Sequence, residues 1–176
     1  VFITATGTHS ADTDIPITDF YSGGTYVITE QTSSRNVTSI TIDESGTIDA
    51  QNGLDNIRLR YDLDTTAPYD CVSESYSVSD TQFGSTDTNG FSGADGSSSF
   101  SGSVSISTTQ TMCVYVEYDV TASSTDGETI QISIDDPTVD IDASGSPTIG
   151  PPTTVSPLAS TTVRNAELTM THYRWL

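Results

Sequence analysis

Hydrophobic and polar residues alternate with a period of two through almost the whole chain. One clear amphipathic stretch has four apolar residues at alternate positions: Ile57, Leu59, Tyr61 and Leu63. The most hydrophobic of these faces consists of Met112, Val114, Val116, Tyr118 and Val120. Further sets with this spacing are Phe100, Gly102, Val104 and Ile106, then Ile130, Ile132 and Ile134, then Val139, Ile141 and Ala143. Side chains of a β-strand point to opposite faces in turn, so this pattern predicts strands with one buried face.

Turn residues separate these segments about every 8–12 residues, and no segment has a sustained helical period. The pattern therefore predicts an all-β fold, a β-sandwich of the jelly-roll or immunoglobulin-like kind with extended terminal arms. We also expect strands at 47–50 and 72–79, a tight turn at Asn52-Gly53, and a long loop over 81–99.

Proline and glycine positions suggest the division of the chain. We expect an N-terminal arm or first strand over residues 1–20 and a sandwich core over 21–143. Four of the seven prolines fall in residues 144–158, which predicts a stiff extended linker. Residues 159–176 then form a last strand, either a donor strand or the start of a further module.

Charge narrows the range of partners. The chain has 24 acidic and 5 basic residues, a net charge of −19, and it contains no lysine. Such a field repels phosphate backbones and anionic membrane surfaces, which argues against nucleic-acid binding. No apolar run approaches the length of a membrane span. The acids also have a simpler explanation, because exposed charge keeps a β-protein soluble and discourages edge pairing.

Cys71 and Cys113 are the two cysteines, and each borders a predicted strand. In an exported protein two such cysteines are expected to pair as a disulfide; the alternative is two buried free thiols. A start at Val1 fits either removal of a leader or a piece of a longer chain.

Catalytic motifs are missing from the sequence. His9 and His172 lie in no zinc or nucleophile motif, and no phosphate-binding loop is present. Glu117 and Asp119 share one strand face and could form a carboxylate pair, but a solvated sheet face explains them equally well. We therefore expect a protein that is not an enzyme.

We expect that the fold requires no cofactor, and calcium is the candidate metal ligand. Asp87, Asn89 and Asp95 resemble the opening of a calcium loop without its closing glutamate, and a plain turn cluster is the alternative. A second candidate set is Asp135, Asp136, Asp140 and Asp142. Asn36 begins an Asn-Val-Thr sequon and is a glycosylation candidate.

Several segments are similar to a repeated β-module of uncharacterised secreted and surface proteins of bacteria and archaea. These segments are residues 54–59, 67–71, 112–116, 126–130 and 171–175. The resemblance implies an extracellular or cell-surface location and assigns no active residues. More loosely, the chain resembles extracellular filament subunits of the TasA and bundling-pilus kind, in which a terminal strand completes a neighbour's sheet.

Two functions follow as hypotheses. The first is a structural subunit of an extracellular filament or surface assembly, polymerising head-to-tail by strand complementation, with the protein itself as partner. Its exchanging arm would use Val1, Ile3, Ala5, Leu168 and Met170. The alternative is an adhesion module of a larger surface protein that binds a glycan or a protein through Tyr69, Tyr76 and Tyr115.

Overall fold

The computed structural model describes residues 1–165 of the 176-residue chain. These residues form thirteen strands and two four-residue helices, so the predicted all-β class is confirmed. In chain order the elements are β1 (Phe2–Thr6), β2 (Asp12–Ile15), β3 (Ile17–Tyr21), β4 (Thr25–Thr29), β5 (Ser34–Glu44), α1 (Ala50–Gly53), β6 (Leu54–Asp64), β7 (Thr81–Asp87), β8 (Ser97–Ser107), β9 (Thr111–Val120), β10 (Thr129–Ile130), β11 (Ile132–Ser133), α2 (Pro137–Asp140), β12 (Ile141–Ala143) and β13 (Thr161–Asn165).

The large sheet has six strands in the order β1-β4-β9-β6-β7, and β3 pairs with the far half of β9. All of its pairs are antiparallel. The second sheet is built around β5, which pairs with β8 on one side and with β11 and β12 on the other. Inner side chains of both sheets meet in one hydrophobic core that contains Ile40, Phe100 and Val116. This is the two-layer packing that the alternation predicts.

A small third sheet joins distant parts of the chain. Strand β13 lies between β10, with which it is antiparallel, and β2, with which it is parallel. The same parallel alignment extends back along the chain, because Phe2 pairs with Gly150 and Thr8 with Leu158. Residues 2–15 and 150–165 therefore run side by side in the same direction.

The long strands define two ends of the molecule, which we call the proximal pole and the distal pole. At the proximal pole, residues 30–35 lie beside 107–111 and 147–152. At the distal pole, residues 46–53 contact 121–129, and the backbone NH of Asn165 donates to Asp126. Strand β5 joins the poles, and its eleven residues span about 33 Å. The described chain thus starts at the proximal pole and leaves from the distal pole.

The terminal segments differ from the expected arm and linker. Residues 1–20 contribute β1 and most of β3 to the large sheet, and Ile3 is completely buried, so of the two alternatives the first strand, and not an arm, describes the start of the chain. The proline-containing stretch packs on the domain: Gly150 exchanges hydrogen bonds with Val1 and Ile3, and Val155 with Ile134. A Cβ on Gly24, whose φ is +74°, would lie 2.4 Å from Pro157, so this packing is close. The stretch predicted as a stiff extended linker is thus hydrogen-bonded to the domain, because backbone groups pair even where proline removes some donors.

Five local predictions also differ from the structure. Residues 47–50 form bends that lead into helix α1 rather than a strand, and Asn52-Gly53 ends that helix. The stretch 72–79 is irregular, whereas the predicted loop 81–99 begins with strand β7. Val139 lies in helix α2 and is 76% exposed. In each case a short polar or apolar run gave the wrong period, and the tertiary contacts decide the conformation.

A substitution in β1 tests whether this strand belongs to the fold. Ile3→Ala should lower the free energy of unfolding by about 2–5 kcal/mol, because it leaves a cavity in the core. The exposed neighbour Thr4 is the matched control, and Thr4→Ala should change it by at most about 0.5 kcal/mol. Urea unfolding followed by circular dichroism measures both. Equal small effects would mean that β1 is detached in solution.

Candidate functional site

The outer face of the large sheet is covered by residues 65–80, which connect β6 to β7. Cys71 and Cys113 form a disulfide between this covering segment and β9, with a Cα–Cα distance of 5.7 Å, which confirms the predicted pairing. The bond closes a loop of 42 residues and stabilises the fold by about 4 kcal/mol in the chain-entropy model. Both sulfur-bearing residues are buried in a small second core with Val27 and Tyr115.

Asp64 fixes the start of the covering segment. Its side chain is fully buried and accepts hydrogen bonds from the backbone NH groups of Thr66 and Cys71 and from the Ser73 hydroxyl. Burial acts to raise the pKa of Asp64, but these donors outweigh it and hold the pKa below its usual value. The carboxylate thus folds the segment back towards the sheet.

Three tyrosines fill the space below the covering segment. The rings of Tyr21 and Tyr76 are stacked at 4.3 Å, and the ring of Tyr115 meets both edge-on. Tyr115 is 1% exposed, and Tyr76 and Tyr21 are half-buried. Tyr76 and Tyr115 therefore do not form the open aromatic surface that a sugar ring would need. Tyr69 is also half-buried, in the covering segment itself.

Glu117 is the centre of a buried ionic network. It is completely buried, and its carboxylate contacts Arg58 at 2.5 Å, Arg60 at 3.4 Å and the Tyr76 hydroxyl at 2.5 Å. Arg58 also pairs with Asp19. Burial raises the pKa of Glu117, but the donors Tyr76, Arg58 and Arg60 have the larger combined effect and lower it. The carboxylate stays charged, and its lone pairs are used by these partners.

The sequence predicts Glu117 on a solvated face together with Asp119, which is wrong for the buried Glu117. Asp119 accepts hydrogen bonds from the Asp19 backbone and from the Asn56 amide, so it also has a structural role. The sequence pattern did not indicate that Arg58, Arg60 and Tyr76 surround this carboxylate. The available signal was the pair of arginines at alternate positions of β6, on the same face as an acid of β9.

The residues predicted to bind calcium have different surroundings in the structure. Asp87 accepts hydrogen bonds from the Asn89 backbone and the Ser98 hydroxyl, while Asn89 and Asp95 are exposed at the distal pole. In the second set, Asp136 caps helix α2 and its own backbone NH bonds to Asp140, whereas Asp142 is exposed. Within residues 1–165 no group of three or more His, Cys, Asp or Glu side chains is arranged to hold a metal. Calcium binding stays a prediction.

Two buried acids at the distal end of β5 have raised pKa values. Glu44 is 2% exposed; burial raises its pKa to about 7, although the backbone NH groups of Gly46 and Gln131 donate to Oε1. Its Oε2 has no hydrogen-bond partner among the described residues. The pKa of Asp43 rises to about 6 because of burial and the nearby Asp140 and Asp135.

Other groups at the ends of the molecule serve the fold. Glu30 contacts Arg35 at 2.9 Å at the proximal pole. Burial acts to raise the pKa of Glu30, but hydrogen bonds from Thr32 and the charge of Arg35 help lower it to about 2. His9 is buried, its Nδ1 lies 2.9 Å from the carbonyl oxygen of Ala159, and burial lowers its pKa. The Asn36 side chain is exposed on β5, so the sequon is accessible.

The proximal pole carries an open groove. It has a volume of about 470 Å³ and is lined by Val1, Phe2, Gln31, Thr148, Ile149, Gly150, Pro151 and Pro152. Phe2 is 42% exposed there. We call these eight residues the proximal groove. The expected arm residues Val1, Ile3 and Ala5 lie in or beside the β1–β4 pair, and Leu168 and Met170 fall outside the described residues.

Comparisons with known proteins give no relative to draw on. No protein-family model matches the chain, and neither curated proteins nor solved structures give a significant match. In the part of the chain that the structure describes, neither helix has the length and apolar character needed to span a membrane.

The Tyr76–Glu117 contact gives a testable energy. Tyr76→Phe keeps the ring stack and removes the hydroxyl, so it should cost about 1.5–3 kcal/mol, the range for hydrogen bonds to charged groups. Tyr69→Phe is the control, because the Tyr69 hydroxyl makes no hydrogen bond within residues 1–165. Chemical unfolding of both variants decides the matter, and equal effects would show that the buried bond contributes nothing.

Glu44 should make stability depend on pH. Its pKa is about 7 in the fold and 4.5 without the protein environment, so the folded state binds the proton more tightly. Its contribution is therefore complete below pH 4.5 and lost as pH rises through 7, by up to about 3 kcal/mol. Glu44→Gln should flatten the change in unfolding free energy between pH 5 and pH 8. Exposed Asp95, which faces Glu44, is the control: an equal flattening in Asp95→Asn would assign the effect to that charge instead.

Proposed function

We propose that the protein is a structural subunit of an extracellular filament or cell-surface assembly in which copies follow one another head-to-tail. The observation that carries the proposal is the path of the chain, which starts at the proximal pole and leaves the described fold at the distal pole beside Asp126. A described chain that begins at one pole and leaves at the other reaches, at Asn165, the end where the next copy along the long axis would lie. Repeated contacts of this head-to-tail kind propagate without closing.

The architecture also suits a load-carrying role. Strands β5, β6, β8 and β9 each have ten or eleven residues and extend over the length of the domain. The disulfide and the Glu117 network fix the long irregular connection between β6 and β7 to the sheet. The carboxylate pair that the sequence suggested, Glu117 and Asp119, is held by structural partners.

Strand complementation takes a restricted form in this proposal. Strand β1 pairs with β4, and β13 fills the space between β2 and β10, so residues 1–6 and 161–165 are used within their own copy. Residues 166–176, which include Leu168 and Met170, are then the part that crosses to a neighbour. An adhesion module in series within a longer surface protein would use the same path of the chain, and self-association of the isolated 176 residues separates the two functions.

The test is polymer formation by the purified chain. Electron microscopy and sedimentation should detect linear assemblies of the full chain, whereas a chain ending at Asn165 should remain monomeric with an unchanged melting temperature. Each copy carries a net charge of −19, so assembly should strengthen as salt screens the repulsion between copies. A full chain that stays monomeric at high protein and salt concentration would contradict the filament and leave the module in series.

A further inference from the structure

We propose that residues 166–176 of one copy bind in the proximal groove of the next copy; this inference rests on the proposed function and names the contact behind it. Six of these eleven residues are hydrophobic, against 34% of the whole chain: Ala166, Leu168, Met170, Tyr173, Trp175 and Leu176. A segment of this composition follows Asn165 at a pole whose surroundings are acidic, with exposed Asp126 and half-buried Glu128. It therefore gains free energy from an apolar binding surface.

The proximal groove has the composition of such a surface. Its lining is largely apolar, from Phe2, Ile149, Pro151 and Pro152, and its polar members Gln31 and Thr148 carry no charge. Its volume of about 470 Å³ lies within the range of about 300–1,000 Å³ typical of binding pockets. The lining residues include no acidic side chain, so the groove is also a favourable contact point for two highly acidic copies, because it brings no further negative charge together.

Distance excludes the copy's own groove as the receiver. The eleven residues extend to about 36 Å at most. Strand β5 alone separates the poles by about 33 Å, and Asn165 lies beyond its distal end, three positions past the Thr162 that pairs with Thr129. A segment that returned to its own groove would need almost its full extended length to reach it. Too few residues would then remain to fill the groove. In a head-to-tail stack the neighbour's proximal groove faces the segment directly.

Trp175 provides a reporter, because it is the single tryptophan of the chain. As the full chain assembles, its emission should shift to shorter wavelength with increasing protein concentration. Phe2→Ser in the groove should weaken this transition at least tenfold in concentration. Leu158→Ser is the matched control: Leu158 is 71% exposed but lies outside the groove, and its loss should leave the transition unchanged.

Cysteine cross-linking locates the contact. A chain carrying Gln31→Cys is mixed with a chain carrying Leu168→Cys, and mild oxidation should join the two copies. Ser99→Cys, on the exposed face of β8, replaces Gln31→Cys in the control and should give no product with Leu168→Cys. Mass spectrometry of the digested product identifies the joined residues while the native Cys71–Cys113 bond stays intact.

The outcomes separate this inference from the function on which it rests. If assemblies form without the Gln31–Leu168 cross-linked product, and Phe2→Ser leaves the transition unchanged, the groove contact is wrong. The proposed filament would not be affected by that result. A chain that remains monomeric, with Trp175 emission independent of concentration, would overturn both. The specific cross-link together with the Phe2→Ser effect supports both.

Discussion

Strand β9 is buried on both faces, and most of the structure follows from that constraint. Its inner residues Met112, Val114 and Val116 belong to the main core, while Cys113, Tyr115 and Glu117 point to the other side. A sheet with one solvated face would leave these outer residues in water. Here they are covered, so the charge of Glu117 needs donors, and Arg58, Arg60 and Tyr76 supply them.

The covering segment has few regular hydrogen bonds and depends on side chains instead. A disulfide, the Asp64 carboxylate and the tyrosine stack each fix one part of it. Such a layer adds a small second core without adding a third sheet. It also explains why the residues that the sequence offers for chemistry on this face are occupied by structural partners.

The period-two pattern was sufficient to predict the class and the inner face, because alternation depends only on local geometry and burial. Ile57, Leu59, Val104 and Ile106 are buried as predicted, and the two cysteines pair as predicted. Contacts between distant segments could not be derived in this way. Thr161 meets Ile130, and Gly150 meets Ile3, but nothing in either local sequence indicates the other. Proline content therefore suggested a stiff extended linker where the structure has a packed segment, and the Glu117 network was not predicted because its members come from distant parts of the chain.

The side-by-side course of residues 2–15 and 150–165 has a mechanical consequence. Tension applied along the long axis, at Val1 and at Asn165, pulls β1 and β13 along their own lengths in opposite directions. Ladder hydrogen bonds lie roughly across the strands, so such a pull shears many of them together instead of opening them one after another. Force applied in this way would thus act on several hydrogen bonds at each end of the described chain at the same time.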